Sequence, residues 1–147
     1  MSPDAKQRVP LKLALARMLL RDDDTSGALK LLEECRTEAP NENIAAELQL
    51  EKAGALLQAK RYADAEEAYQ VYLDVAGDPS GIAKAYMGKG QALLGLERFS
   101  ESASMYDKAE KVFLNPEAKA MALFKAGDAY YQAGLLDEAG KGTARSW

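Results

Sequence analysis

The sequence predicts an all-α fold, a solenoid of about four antiparallel helix pairs, from three features. The first is repetition. Gly90, Leu93-Leu94, Phe99, Ser102 and Tyr106 have counterparts 37 residues earlier in Ala53, Leu56-Leu57, Tyr62, Ala65 and Tyr69. The same step gives Ala16, Leu19-Leu20, Ala28 and Leu32 toward the N-terminus, and Gly127, Tyr130-Tyr131, Leu136 and Ala139 toward the C-terminus. Copies at one fixed spacing mark a repeat array. The second feature is periodicity within a copy. Apolar and small residues recur at three-to-four spacing from Ala83 to Leu94, and the period restarts at Phe99, so each copy holds two amphipathic helices. The third is capping: Asn41, Asp78 and Asn115 also stand 37 apart, each ahead of a helical pattern. An Asx oxygen there accepts from the free amides of the first turn, an effect of about 1 kcal/mol.

Taken in order, the first helix is expected from Pro10, which suits a first turn, to about Arg21. Asp22-Asp23-Asp24-Thr25 is the turn; it lacks the Gly and distal Glu of a calcium loop, and carboxylates ahead of a helix suit its dipole. The second helix, about 26–38, buries Ala28, Leu31, Leu32 and Cys35. The third and fourth, about 42–59 and 62–76, meet at Lys60-Arg61; the fifth and sixth, about 80–96 and 99–114, meet at Glu97-Arg98. Joints this short require antiparallel pairs. Pro79 and Pro116 follow two of the caps at the first helical position. The seventh helix, about 117–133, is expected to stop at a left-handed Gly134, and an eighth to start at Leu136. Gly140 and Gly142 weaken that last helix, each by about 1 kcal/mol relative to Ala. The small columns Ala16, Ala53, Gly90, Gly127 and Ala28, Ala65, Ser102, Ala139 are expected to face one another. One domain spans 1–147, with repeats at about 9–41, 42–78, 79–115 and 116–147, the last incomplete or degenerate.

The pattern of Gly90, Leu93, Phe99, Tyr106 and Ala109, with Ser102 in the usual Ala place, resembles the tetratricopeptide repeat family over about residues 9–139. The first copy departs from it, with Thr25 and Leu32 in place of aromatics. So do Lys52 and Lys89, at positions usually large and apolar, whose stems are expected to be buried while their ammonium groups snorkel. The resemblance implies a right-handed solenoid whose first helices line a concave face. The 37-residue step with Asx-Pro between copies also looks like the longer repeats of bacterial cell-envelope members, of the Tol-Pal-associated or outer-membrane-assembly type. That likeness implies a periplasmic segment of an exported protein; a chain complete as it stands is expected to be cytoplasmic.

Net charge of -4 and pI near 5.0, with no Lys/Arg cluster, argue against nucleic acid as partner. The absence of histidine removes the commonest general base and metal ligand, and nothing assembles a nucleophile with its activator, so no enzyme and no cofactor are implied. Cys35, the only cysteine, excludes an intrachain disulfide and reads as a buried reduced thiol. Lys12, Arg17 and Pro10 interrupt any signal-peptide apolar run, and no stretch reaches the length of a membrane span.

The resemblance places Leu50, Met87 and Phe124 in one column of the concave face and Leu57, Leu94 and Tyr131 in another. Gly54, Gln91 and Asp128 form a mixed column, continued by Arg17, and Arg21, Gln58, Gly95 and Gln132 a mostly polar one. Two apolar stripes between polar ones suit an amphipathic helix or an extended apolar peptide. The plainer reading is that these side chains only pack neighbouring first helices together. Gly54, Gly88 and Gly95 would leave room for a ligand backbone, and Met87 adapts to irregular surfaces. Arg17, Lys84 and Lys125 are too scattered for the clamp with which some members hold acidic chaperone tails. The expected function is a noncatalytic protein-binding scaffold; the alternatives are a helical appendage of a larger enzyme or regulatory protein, or a self-assembling scaffold. A repeat array needs a polar cap at its last apolar surface. None is evident here, so the chain is expected to continue, to fold Trp147 back, or to self-associate through its C-terminal edge at Tyr130, Leu136 and Ala139.

Overall fold

The computed structural model describes residues 5–38, 41–75 and 77–140, and side chains from 7 to 135 within those spans. Seven α-helices, and no strand, are present among the described residues: α1 Ala5–Arg21, α2 Thr25–Glu38, α3 Glu42–Gln58, α4 Tyr62–Val75, α5 Pro79–Gly95, α6 Phe99–Val112 and α7 Pro116–Gly140. Each helix packs on the next, and α3 also touches α5, the neighbour relation of a solenoid. The pairs α1/α2, α3/α4 and α5/α6 follow the repeat, with α7 opening a fourth copy.

The boundaries follow local chemistry. Asn41 Oδ1 accepts from the Ile44 amide at 3.0 Å, Asp78 Oδ2 from Gly81 at 3.4 Å, and Asn115 Oδ1 from Glu117 at 2.8 Å. Asp24 does the same for α2, its Oδ1 accepting from the Gly27 amide at 3.0 Å, which gives that acidic turn a structural role. The turns inside the three complete pairs share one geometry. Asp23, Lys60 and Glu97, again 37 apart, all lie in the left-handed region with φ of 61°, 63° and 60°. The amide after each donates five residues back: Asp24 to Leu19, Arg61 to Leu56 and Arg98 to Leu93, at 2.8–2.9 Å. These are Schellman stops made without glycine.

Two expectations are corrected. Pro10 does not open α1; the helix starts at Ala5 and carries Pro10 inside it. Packing outweighs the lost amide there, because Val9 is buried against the Cys35 cluster and Arg8 pairs with Glu38 at 3.2 Å. At the other end, Gly134 stands one step beyond Glu97 in the series of left-handed turns, yet it is helical and α7 runs through it to Gly140. No separate helix begins at Leu136. Reversal in the earlier copies is held by contact between the paired helices, whereas a side chain added at Gly127 would meet no described residue within 4 Å. The remainder of the expected eighth helix, Lys141 to Trp147, lies outside the described residues, as do the side chains of Leu136 and Ala139.

The small columns do face one another in the third copy: Ser102 Oγ donates to the Gly90 carbonyl at 2.7 Å in a fully buried contact. A Cβ on Gly90 would come within 2.7 Å of the Tyr106 ring. Lys52 and Lys89 are half-buried, and the Lys89 ammonium donates to the Gln70 side chain, as snorkelling requires. Cys35 is buried and free, its thiol directed at the Val9 carbonyl, and burial pushes its pKa up.

Candidate functional site

The first helices of the copies, α1, α3, α5 and α7, carry the residues assigned to the groove, and their surroundings change along the array. Leu50 and Leu57 are half-buried against the central core around Tyr69 and Tyr72. Met87 and Leu94 pack in the same way on the cluster of Ala103, Tyr106, Ala126 and Ala129. Those four side chains serve both readings, since part of each supports the neighbouring helix and part faces out. On α7 the equivalent positions are open: Phe124 is 76% exposed and Tyr131 53%. Gln91 is half-buried, and Asp128 is exposed, accepting from Gln132 Nε2 at 3.1 Å.

The polar columns are partly consumed by internal contacts. Arg17 reaches across from α1 to Glu51 on α3, with Glu47 at 3.8 Å, so its charge is compensated. Gln58 donates to the Leu20 carbonyl. Lys84 lines a cleft of about 880 Å³ where α3 and α5 begin and α4 ends, together with Leu50, Val71, Tyr72 and Val75. Glu42, Glu47 and Asp78 offset Arg36 and Lys84 in that lining, so it favours no strongly charged ligand.

The glycines are where sequence reasoning failed. Read as vacancies, Gly88 and Gly95 are filled by tyrosines of α4. A Cβ on Gly88 would fall 2.1 Å from Tyr69 Cζ, and one on Gly95 2.6 Å from the Tyr62 ring. Gly81, one further heptad back, is pressed by Tyr72, whose Oη would lie 1.7 Å from an added Cβ. Real carbon contacts sit near 3.5–4.0 Å. Three rings of α4 therefore occupy three notches of α5 in an antiparallel interface. Of the three glycines read as room for a ligand, Gly54 alone is uncrowded, with Tyr69 Oη at 3.8 Å from its added Cβ. A signal for this existed: Tyr62 and Tyr69 are seven apart, as are Gly88 and Gly95.

A model described as tetratricopeptide repeat matches residues 13–82 and 87–147. Among solved structures, the chain is similar to the first TPR domain of the human RPAP3 protein, with a TM-score of 0.68 and 17% identity over 84% of this chain and 92% of that one. It is also similar to the first TPR of Spaghetti (RPAP3), bound to the HSP90 peptide SRMEEVD, with a TM-score of 0.68 and 18% identity over 85% and 94%. Among curated proteins there is no match.

Proposed function

Because the chain belongs to the tetratricopeptide repeat family, we propose that it is a noncatalytic protein-binding module that takes a peptide on the face formed by α3, α5 and α7. One observation carries this reading. The apolar columns that start half-buried at Leu50 and Leu57 end in aromatics, Phe124 and Tyr131, that are 76% and 53% exposed. Exposed aromatic side chains, with a half-buried methionine beside them, match the residue types enriched in protein–protein interfaces. A similar fold holds a peptide in the Spaghetti domain. The acidic character of that peptide does not transfer, since Arg17 is already paired with Glu51.

The test is selection from a phage-displayed library of random peptides, followed by titration of a synthetic selected peptide. Phe124→Ala and Tyr131→Ala should each weaken binding by about tenfold, the equivalent of roughly 1.4 kcal/mol. Leu114→Ala, which removes a side chain 92% exposed in the link between α6 and α7, should leave it unchanged. Failure to select any peptide, or binding indifferent to both aromatic substitutions, would contradict the proposal.

A second observation favours self-association through α7. Leu123, Gly127 and Tyr130 hold the register that Tyr86, Gly90 and Leu93 hold on α5, where Leu93 is 2% exposed against the paired helix. On α7, Leu123 is 54% and Tyr130 49% exposed. A second copy covering this face would produce concentration-dependent sedimentation that Leu123→Glu abolishes, because a carboxylate there would be desolvated without a partner. A monomer at all accessible concentrations would exclude it.

A further inference from the structure

We propose that Tyr69 and Tyr72 are ligand-contact residues whose hydroxyls, delivered by α4 to the bottom of the seam between α3 and α5, hydrogen-bond the main chain of an extended peptide. The inference rests on the groove reading above and narrows its ligand from a peptide or helix to an extended segment.

Both side chains are sunk in the core, at 5% and 4% exposure, yet neither hydroxyl makes a hydrogen bond to any described residue. Two other hydroxyls show the usual provision: Tyr130 Oη donates to Asp107 Oδ2 at 2.6 Å, and Ser102 Oγ to the Gly90 carbonyl. A buried tyrosine normally finds a partner for its O–H. Among the described residues no sealed side-chain polar atom lacks one, so these two oxygens are the tips that reach open space. Tyr72 reaches it in the cleft it lines with Leu50 and Lys84.

For Tyr69 the opening is set by glycine on both walls. One repeat earlier, the positions equivalent to Gly54 and Gly88 are Arg17 and Glu51, which close the seam between α1 and α3 with an ion pair, their side chains 49% and 25% exposed. Between α3 and α5 both positions are glycine, and Tyr69 Oη fills the gap from below, 2.4 Å from an added Cβ at Gly88 and 3.8 Å from one at Gly54. In the first copy Tyr69 is replaced by Leu32, which has no polar tip to offer. The tyrosine and the two glycines thus form a matched set that replaces a self-satisfied ion pair with a lone hydroxyl. Burial pushes the Tyr69 pKa up to about 12, so the group stays neutral. A neutral hydroxyl, able to donate to a carbonyl or accept from an amide, beside a cleft of nearly balanced charge, suits a peptide bond better than an ion.

Spacing decides the ligand conformation. Gly81 and Gly88, against which the two rings rest, are seven residues apart on α5, about 10.5 Å at the helical rise. An extended chain covers that in about three residues. A helical ligand has its main-chain groups internally bonded and could not use either hydroxyl.

The test uses the whole chain and a peptide selected on it from a phage-displayed random library. Tyr69→Phe and Tyr72→Phe remove one oxygen each and keep the ring in its notch. Each should weaken the peptide by about tenfold while melting at or above the parent temperature, since no internal hydrogen bond is lost. Replacing single peptide amides by esters, which makes poorer acceptors, should reveal a position sensitive in the parent and insensitive in one of the phenylalanine variants. Parent-like binding by both variants with sensitivity to Phe124→Ala retained would overturn this inference and leave the groove standing. A lowered melting temperature would assign the hydroxyls to the fold and overturn it too. If no peptide is selected, the groove reading fails and takes this inference with it.

Discussion

Gly88 and Gly127 both lie inside helices, so replacing either by alanine gains the same intrinsic helix preference, about 1 kcal/mol. Their surroundings differ in kind. At Gly88 a Cβ would stand 2.1 Å from Tyr69 Cζ, 2.4 Å from its Oη and 2.6 Å from Cε1. The ring would have to retreat by more than an ångström toward a core of Leu56, Ala65 and Ala68 that leaves it 5% exposed. Overpacking of this kind costs about 1 to 3 kcal/mol, so Gly88→Ala should be neutral to destabilising by about 2 kcal/mol after the propensity gain. A Cβ at Gly127 would meet no described residue within 4 Å, and Gly127→Ala should simply stabilise. The two variants should therefore differ by about 1 to 3 kcal/mol in the same scaffold, some 2 to 4 °C of melting temperature per kcal/mol for a chain of this size. Circular dichroism melts measure this directly. Adding Tyr69→Leu, the residue type found in the first copy, should reduce the Gly88→Ala penalty, giving a coupling between contacting sites. Equal stabilisation by both alanines, or no coupling to Tyr69, would refute the tyrosine-in-notch packing of α4 on α5.

Three further outcomes follow from local chemistry. Glu97→Gly should stabilise by about 1 kcal/mol in a urea titration, because it relieves a side chain held at φ 60°. The Glu38 carboxyl is held below its ordinary 4.5 by hydrogen bonds from Lys12 and Arg8. A depressed carboxylate contributes stability that is present above pH 4.5 and lost as pH falls through the folded value, so Glu38→Gln should flatten the acid limb of a stability-against-pH curve below 4.5. Cys35, buried and raised in pKa by that burial, should react with a disulfide reagent at neutral pH only as fast as the chain opens, and at once in denaturant.

What the sequence made legible was whatever one helix determines for itself. The caps Asn41, Asp78 and Asn115, the small contact of Gly90 with Ser102, the snorkelling Lys89 and the inert Cys35 all follow from residue type at a helical register. What escaped depends on which helix faces which. Gly88 and Gly95 announce missing side chains, but only the register of α4 against α5 says that Tyr69 and Tyr62 fill those spaces. The turns show the same limit from the other side. Glycine preference pointed to Gly134 as a left-handed stop, while the left-handed residues are Asp23, Lys60 and Glu97, held there by the pairing of the helices they join. Pro10 likewise marks a preferred first turn, overridden by burial of Val9 and pairing of Arg8. For the groove, the columns of Leu50, Met87, Phe124 and of Leu57, Leu94, Tyr131 could be written from the period, but not their gradient from half-buried to exposed, which depends on how each helix is covered by its neighbours, as Met87 and Leu94 are by the cluster that includes Ala126 and Ala129 of α7.

The most direct measurement is a nitrogen-proton correlation spectrum of the labelled chain with and without a selected peptide. Peptide binding in the groove should shift the amides of Leu50, Gly54, Leu57, Met87, Gln91, Leu94, Phe124, Asp128 and Tyr131, all on α3, α5 and α7. Shifts confined to the outward residues of α2, α4 and α6, such as Lys30, Glu67 and Lys108, would place the partner on the opposite face and contradict the proposed groove.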